Sequence, residues 1–206
     1  MRLVRLLNRT KNLRQSDGRH FISDSLSNRR AHNVFTCRSL LLDHRNKITN
    51  LDLIKASWFT EVTNAEELRK ISKYIDRNYM DGVILLNYND QKIFTYRDWD
   101  SIEQLWILIT VAIQEVLDKS EGWLYLPDQP AKITFKERGN DLIEMYTEWN
   151  DKTYILPEKE LLTTLIEGAI QFFEAIDEPL ELHGYFNDDL NFSKKLLHRV
   201  ENQFNK

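Results

Sequence analysis

SIEQLWILITVAIQEVLD, residues 101–118, carries nearly all its polar side chains on one arc. Wound at about 100° per residue, Glu103, Gln104, Thr110, Gln114, Glu115 and Asp118 fall together. The rest of the circumference is Ile102, Leu105, Trp106, Ile107, Leu108, Ile109, Val111, Ala112, Ile113, Val116 and Leu117. A helix that apolar must be covered on most sides, so it reads as the central helix of one core. Its longest apolar run, Leu105 to Ile113, is about half the ~20 residues a membrane-spanning helix needs, and no span is expected.

The chain on either side is patterned for an α+β domain. Upstream, LIKASWFTEV (Leu53–Val62) is rich in β-branched and aromatic residues and reads as a first strand. Thr63-Asn64-Ala65-Glu66 matches a capping box and opens a helix running to about Tyr79, stopped by Asp81-Gly82. GVILLNY (Gly82–Tyr88) is apolar at successive positions, so both its faces should be buried. Asn89-Asp90 turns it into a partner strand over residues 91–96. Asp98, Asp100 or Ser101 is placed to cap the central helix.

Downstream, a short extended piece (Gly122–Leu126) ends in the stiff loop Pro127-Asp128-Gln129-Pro130. Residues 132–137, 142–149 and 152–156 alternate apolar and polar between Gly139-Asn140 and Asn150-Asp151 turns, the signature of an antiparallel meander with one wet face. Pro157 then starts an amphipathic helix, residues 158–176, whose inner face includes Leu161, Leu165, Phe172 and Ile176. Glu178-Pro179 ends it, and a last helix begins at Asp188 or Asp189 and runs to Gln203. The expected fold is a hairpin plus a meander packed with about four helices around residues 101–118.

The chain has 206 residues, 42% hydrophobic and 29% charged, with six Gly and four Pro. That is globular composition without long flexible linkers. A single cysteine, Cys37, excludes an intrachain disulfide and a Cys-cluster zinc site, and an intracellular, cytoplasmic location is the simplest expectation. The net charge of −4 is split. Residues 1–50 hold 11 Lys/Arg and 3 Asp/Glu, a net of +8, and residues 51–206 hold 17 and 29, a net of −12. Residues 1–48 are therefore expected to be a basic, poorly ordered extension, with residues 49–206 a single acidic domain. Three readings of the extension stay open: a basic arm for nucleic acid or an anionic membrane, an amphipathic transit peptide, or a plain extension from a start set too far upstream.

No phosphate loop, dinucleotide fingerprint, zinc-protease helix or nucleophile elbow is present, so neither catalytic residue nor cofactor is assigned. His183, Asp188, Asp189 and His198 are metal-ligand types, but their spacing fits no common site; the ordinary reading is capping and surface residues. Cys37 and His44 could pair as nucleophile and base only in a fixed, electropositive setting. The tryptophans at 58, 99, 106, 123 and 149 read first as packing. Trp123, with Asp128 and Gln129 of the Pro loop, is the candidate wall of a small-ligand pocket. The strongest hint is acidic: Glu160, Glu167, Glu174, Glu178 and Glu181 form a possible stripe for a basic protein partner, against the ordinary reading of a solvated face.

SWFTEV, DGVILLNYNDQKI, LYLPDQPAKITF and LIEGAIQFFEAI, over about residues 52–177, resemble small bacterial α+β proteins. Some proteins of that kind are immunity partners of secreted toxins. The resemblance implies a non-enzymatic, toxin-neutralising binding protein and carries over no functional residue. A ligand module or enzyme near the Pro loop, and nucleic-acid contact through residues 1–47, are the alternatives.

Overall fold

The computed structural model describes residues 34–204. The expectations for residues 1–33, the basic amphipathic start among them, lie outside the described residues. The elements, in chain order, are β1 (Phe35–Leu42), β2 (Phe59–Glu61), α1 (Ala65–Ile71), β3 (Asp81–Tyr88), β4 (Gln91–Phe94), β5 (Asp100–Ser101), α2 (Ile102–Lys119), β6 (Glu121–Tyr125), β7 (Lys132–Gly139), β8 (Leu142–Thr147), β9 (Lys152–Pro157), α3 (Glu158–Asp177) and α4 (Asn187–Phe204). The fold is α+β. The first sheet runs β2-β1-β3-β4 with β5 added to β3, and the second is the meander β6-β7-β8-β9. Every strand pairing is antiparallel.

One apolar cluster joins the two sheets through α2 and α3. It includes Ile84 and Leu86 of β3, Trp106, Ile109 and Ile113 of α2, Phe135 of β7, Met145 of β8 and Leu165 and Phe172 of α3. The other face of the first sheet is also covered. Leu40, Leu42, Phe59 and Val83 pack there with Trp58, Tyr96 and Trp99. That explains why Gly82–Tyr88 is apolar at successive positions. Among the described residues the second sheet is covered on one face only.

Residues 35–48 do not belong to an extension. Phe35–Leu42 pairs along β3 from Phe35↔Tyr88 to Leu41↔Gly82, so the boundary expected at residue 48 cuts through the first sheet. The strand expected over residues 53–62 shortens to Phe59–Glu61. Two 3-10 turns, Leu51–Leu53 and Ala56–Trp58, take its place. The cap of α1 is Asn64, whose side chain accepts from Glu67 N at 3.2 Å, one residue later than the expected Thr63 box. That helix stops at Ile71 and passes into a 3-10 turn, Ser72–Tyr74. Asp81 and Gly82 open β3 instead of ending a helix. Among the described residues no helix is long and apolar enough to cross a membrane.

The turn from α2 into β6 is close-packed. Ser120 adopts a left-handed conformation, φ 63°, and the chain folds back along the helix. A Cβ on Gly122 would lie 2.1 Å from the Ala112 carbonyl oxygen. A backbone atom cannot swing aside as a side chain can, so Gly122→Ala should lower unfolding stability by about 1–3 kcal/mol or more in urea titration. Inside the core, Trp106 Nε1 donates to Ser39 Oγ at 3.0 Å. Ser39→Ala leaves that indole N–H without its acceptor, and a loss of about 1–3 kcal/mol is expected in the same assay.

Candidate functional site

The alternation along β6 settles where the expected pocket residues lie. Gly122 and Leu124 face the core, while Trp123 and Tyr125 face out, 47% and 54% exposed. Of the five tryptophans, Trp123 alone is exposed. Its ring meets that of Tyr125 edge-on with centroids 5.4 Å apart, and Lys132 Nζ sits 4.4 Å over it. Across the sheet, Trp123 is in register with Thr134, Tyr146 and Thr153. Leu142 and Ile155 are exposed on the same face. Two ion pairs, Lys136–Glu121 at 3.6 Å and Arg138–Glu144 at 2.5 Å, run among them. The result is a flat aromatic and aliphatic face with its formal charges largely matched.

Asp128 and Gln129 do not join Trp123; they point to the other side of the sheet. Asp128 N donates to Asp100 Oδ1 at 3.0 Å, and Gln129 Nε2 donates to the Trp99 carbonyl at 3.1 Å. The Pro loop is thus pinned to the segment entering α2. Burial pushes the Asp100 carboxyl up to about 6, against backbone donors from Ser101 and Asp128, with the neighbouring Asp128 carboxylate adding to the rise. Tyr79, bonded to Asp128, is pushed up to about 12. A second buried acid starts α3. Glu158 is raised to about 7, first by burial and then by the Glu137 carboxylate beside it.

The acidic stripe is present, but more than half of it is neutralised within the chain. Glu160, Glu167, Glu174, Glu178 and Glu181 are all exposed. Glu174 pairs with Lys194 at 2.6 Å, Glu178 with Arg69 at 2.5 Å and Glu181 with Arg77 at 3.0 Å. These pairs tie α4, α1 and the turn after α1 to the α3 region. Glu160 and Glu167 have no ion pair within 4 Å among the described residues. Glu167 and Glu174 flank a shallow groove of about 520 Å³ floored by Ile170, Ala175 and Leu197.

The remaining candidates separate. Cys37 lies within β1 and His44 in the turn beyond its far end. Burial pushes the Cys37 thiol up to about 12, so it is not the thiolate a nucleophile needs. His44 Nε2 is 3.3 Å from Asp81 Oδ2. Asp188 and Asp189 occupy the first turn of α4, while His198 lies further along it, exposed and 3.8 Å from Glu201. His183 sits in the turn before α4. Among the described residues no group of three or more His, Cys, Asp and Glu is placed to hold a metal ion.

Sequence reasoning missed the breadth of the outer sheet face. Its signal was available in the outward positions of β6 to β9, where Trp123, Tyr125, Leu142 and Ile155 replace the polar residues a wet face usually carries.

The raised acids fix the sign of the pH dependence. Asp100 and Glu158 hold their protons more tightly in the fold than unfolded, so their contribution is complete below about pH 4 and is lost as pH rises through about 6 and 7. The urea midpoint should therefore be higher at pH 5.5 than at pH 8, and Glu158→Gln should flatten that slope. No protein-family model matches the chain, and neither a curated protein nor a solved structure was found to be similar to it.

Proposed function

We propose that this is a non-enzymatic binding protein that docks a basic protein partner on the outer face of β6–β9. The observation that carries the reading is the exposure of Trp123 and Tyr125, side by side, on the one sheet face that nothing in the described fold covers. Exposed aromatics of this size are the residues that anchor interfaces, since they bury a large area with few rotatable bonds. The charge outside the patch favours a basic partner. Residues 34–206 hold 20 Lys/Arg and 30 Asp/Glu, a net of −10, which steers basic proteins and repels phosphate backbones. The acidic helical stripe fits as a steering region more than as the contact itself, because Arg69, Arg77 and Lys194 already neutralise three of its five glutamates.

A toxin-neutralising role, of the kind the sequence resemblance implies, is one instance of this reading. A reducing, cytoplasmic location fits the lone Cys37 thiol.

The test compares the full chain with Trp123→Ala/Tyr125→Ala and with Glu160→Lys/Glu167→Lys. Both aromatic changes are at exposed positions, so the thermal midpoint should move little. A basic protein retained from native lysate by the wild type should be purified and its affinity measured. The aromatic double variant should lose about 30-fold or more, as hot-spot truncation does, and the charge variant should mainly slow association. Equal affinity for wild type and the aromatic variant would sink the reading. Loss only in the charge variant would return the contact to α3.

A further inference from the structure

A cleft of about 410 Å³ opens between the two sheets, where the end of β4 faces the turn joining β8 to β9. Its volume is within the ~300–1,000 Å³ usual for small-molecule sites. Its charge runs against the rest of the domain. Lys92, Arg97 and Lys152 line it with a single acid, Asp98, although residues 34–206 carry a net of −10. Asp98 is occupied by its own loop, accepting from Thr95 N at 2.7 Å and Thr95 Oγ1 at 3.0 Å. Arg97 pairs with Asp52 at 2.6 Å. Lys92 and Lys152 have no ion pair within 4 Å among the described residues.

The deeper wall carries two buried donors, Tyr154 Oη and Trp149 Nε1, whose contacts fall short of hydrogen-bond geometry. Tyr154 is 3% exposed, and its hydroxyl has no partner with hydrogen-bond geometry among the described residues. Asn150 and Thr147 stand beside it and are bonded to each other, Thr147 Oγ1 to Asn150 Oδ1 at 2.6 Å. Trp149 Nε1 is buried as well and faces the Asp98 carboxylate, short of full hydrogen-bond geometry. A buried hydroxyl left unsatisfied is destabilising, so native structures usually supply it with a partner. Burial raises the Tyr154 phenol above its ordinary value, which keeps it a donor. Leu51, Ile93 and Leu126 add an apolar side to the cleft.

We propose that this cleft binds a small organic anion, a carboxylate or phosphate head on a compact apolar body. The head accepts from Tyr154 and faces Lys92 and Lys152, and the body lies against Leu126 and the Trp149 ring. Tyr154 is on the inward side of β9, so the site is separate from the outer aromatic face and stands or falls independently of it. Gln129 of the Pro loop borders the cleft, which gives that loop a binding role without Trp123.

The test uses the full chain, ¹⁵N-labelled, at low ionic strength. The Trp149 indole N–H signal is assigned with Trp149→Phe. Phenyl phosphate and benzoate serve as probes, with benzyl alcohol and benzylammonium as neutral and cationic controls. One or both anions should shift the Trp149 signal saturably, and which one does so separates a phosphate from a carboxylate head. Tyr154→Phe, which keeps the ring, should weaken that affinity about 5- to 10-fold, roughly one hydrogen bond. Lys92→Gln/Lys152→Gln, on exposed side chains, should weaken it as much and reduce its salt dependence. No shift with either anion overturns the proposal. Benzylammonium binding as well as the anions, or unchanged affinity in the lysine variant, overturns it too, and the lysine result holds even if Tyr154→Phe fails to fold.

Discussion

The hydrogen bond from Trp106 to Ser39 is where the structure closes on itself. It joins α2 to β1 across 67 residues of sequence, at 3.0 Å, between side chains that are 0% and 3% exposed. A buried indole N–H needs an acceptor, and Ser39 supplies one at a strand position that would otherwise be apolar. α3 then closes on the same ring. A Cβ on Gly168 would stand 2.7 Å from Trp106 Cη2 and 3.0 Å from Cys37 Sγ, so the helix reaches this depth because position 168 has no side chain. Three elements distant in sequence thus meet at one side chain, which leaves α2 little freedom to rotate or slide against the first sheet.

That arrangement decides which surfaces remain free. With α2 and α3 between the sheets, and residues 43–58 folded over the far side of β1 and β3, the first sheet has no open face. The second sheet contributes only its inner side chains to the core, and its outer side chains meet solvent. The two sheets also part beyond the end of β4, where Trp149 and Tyr154, packed on the core behind them, line a cleft. An open face and an open seam are therefore two places where large side chains of the described fold border solvent.

Much of this was legible because periodicity survives wherever one face is wet. The meander, α2, α3 and α4 were placed to within a residue or two for most ends, since alternation and the 3.6-residue period are local signals. β1 was not. Its core-facing positions are Phe35, Cys37, Ser39 and Leu41, and a serine in that row breaks the apolar pattern unless its tryptophan partner is already known. The strand expected before α1 failed for the opposite reason. Trp58 and Phe59 have strand propensity, yet they cover a sheet face as a 3-10 turn and a three-residue strand, so burial outweighed propensity. The pairing of Trp123 with Asp128 and Gln129 failed because β6 ends at Tyr125 and the loop after it is pinned to Trp99 and Asp100. Within β6 alternation sends Trp123 outward and Leu124 inward, and those hydrogen bonds to Trp99 and Asp100 are contacts between segments that no local period announces.

Charge could be counted in the sequence but not located. A net of −10 over residues 34–206 suggests an acidic binding surface. The fold disposes of much of that charge in two ways. It pairs Glu174, Glu178 and Glu181 with cations from other elements, and it buries Asp100 and Glu158 where their protonated forms are favoured. Meanwhile Lys92 and Lys152, far apart in sequence, line one cleft at the seam with no carboxylate within ion-pair distance among the described residues. The lysine-lined seam and the aromatic face differ in charge from the acidic remainder by construction of the fold, and that contrast, more than the total charge, is what sets them apart.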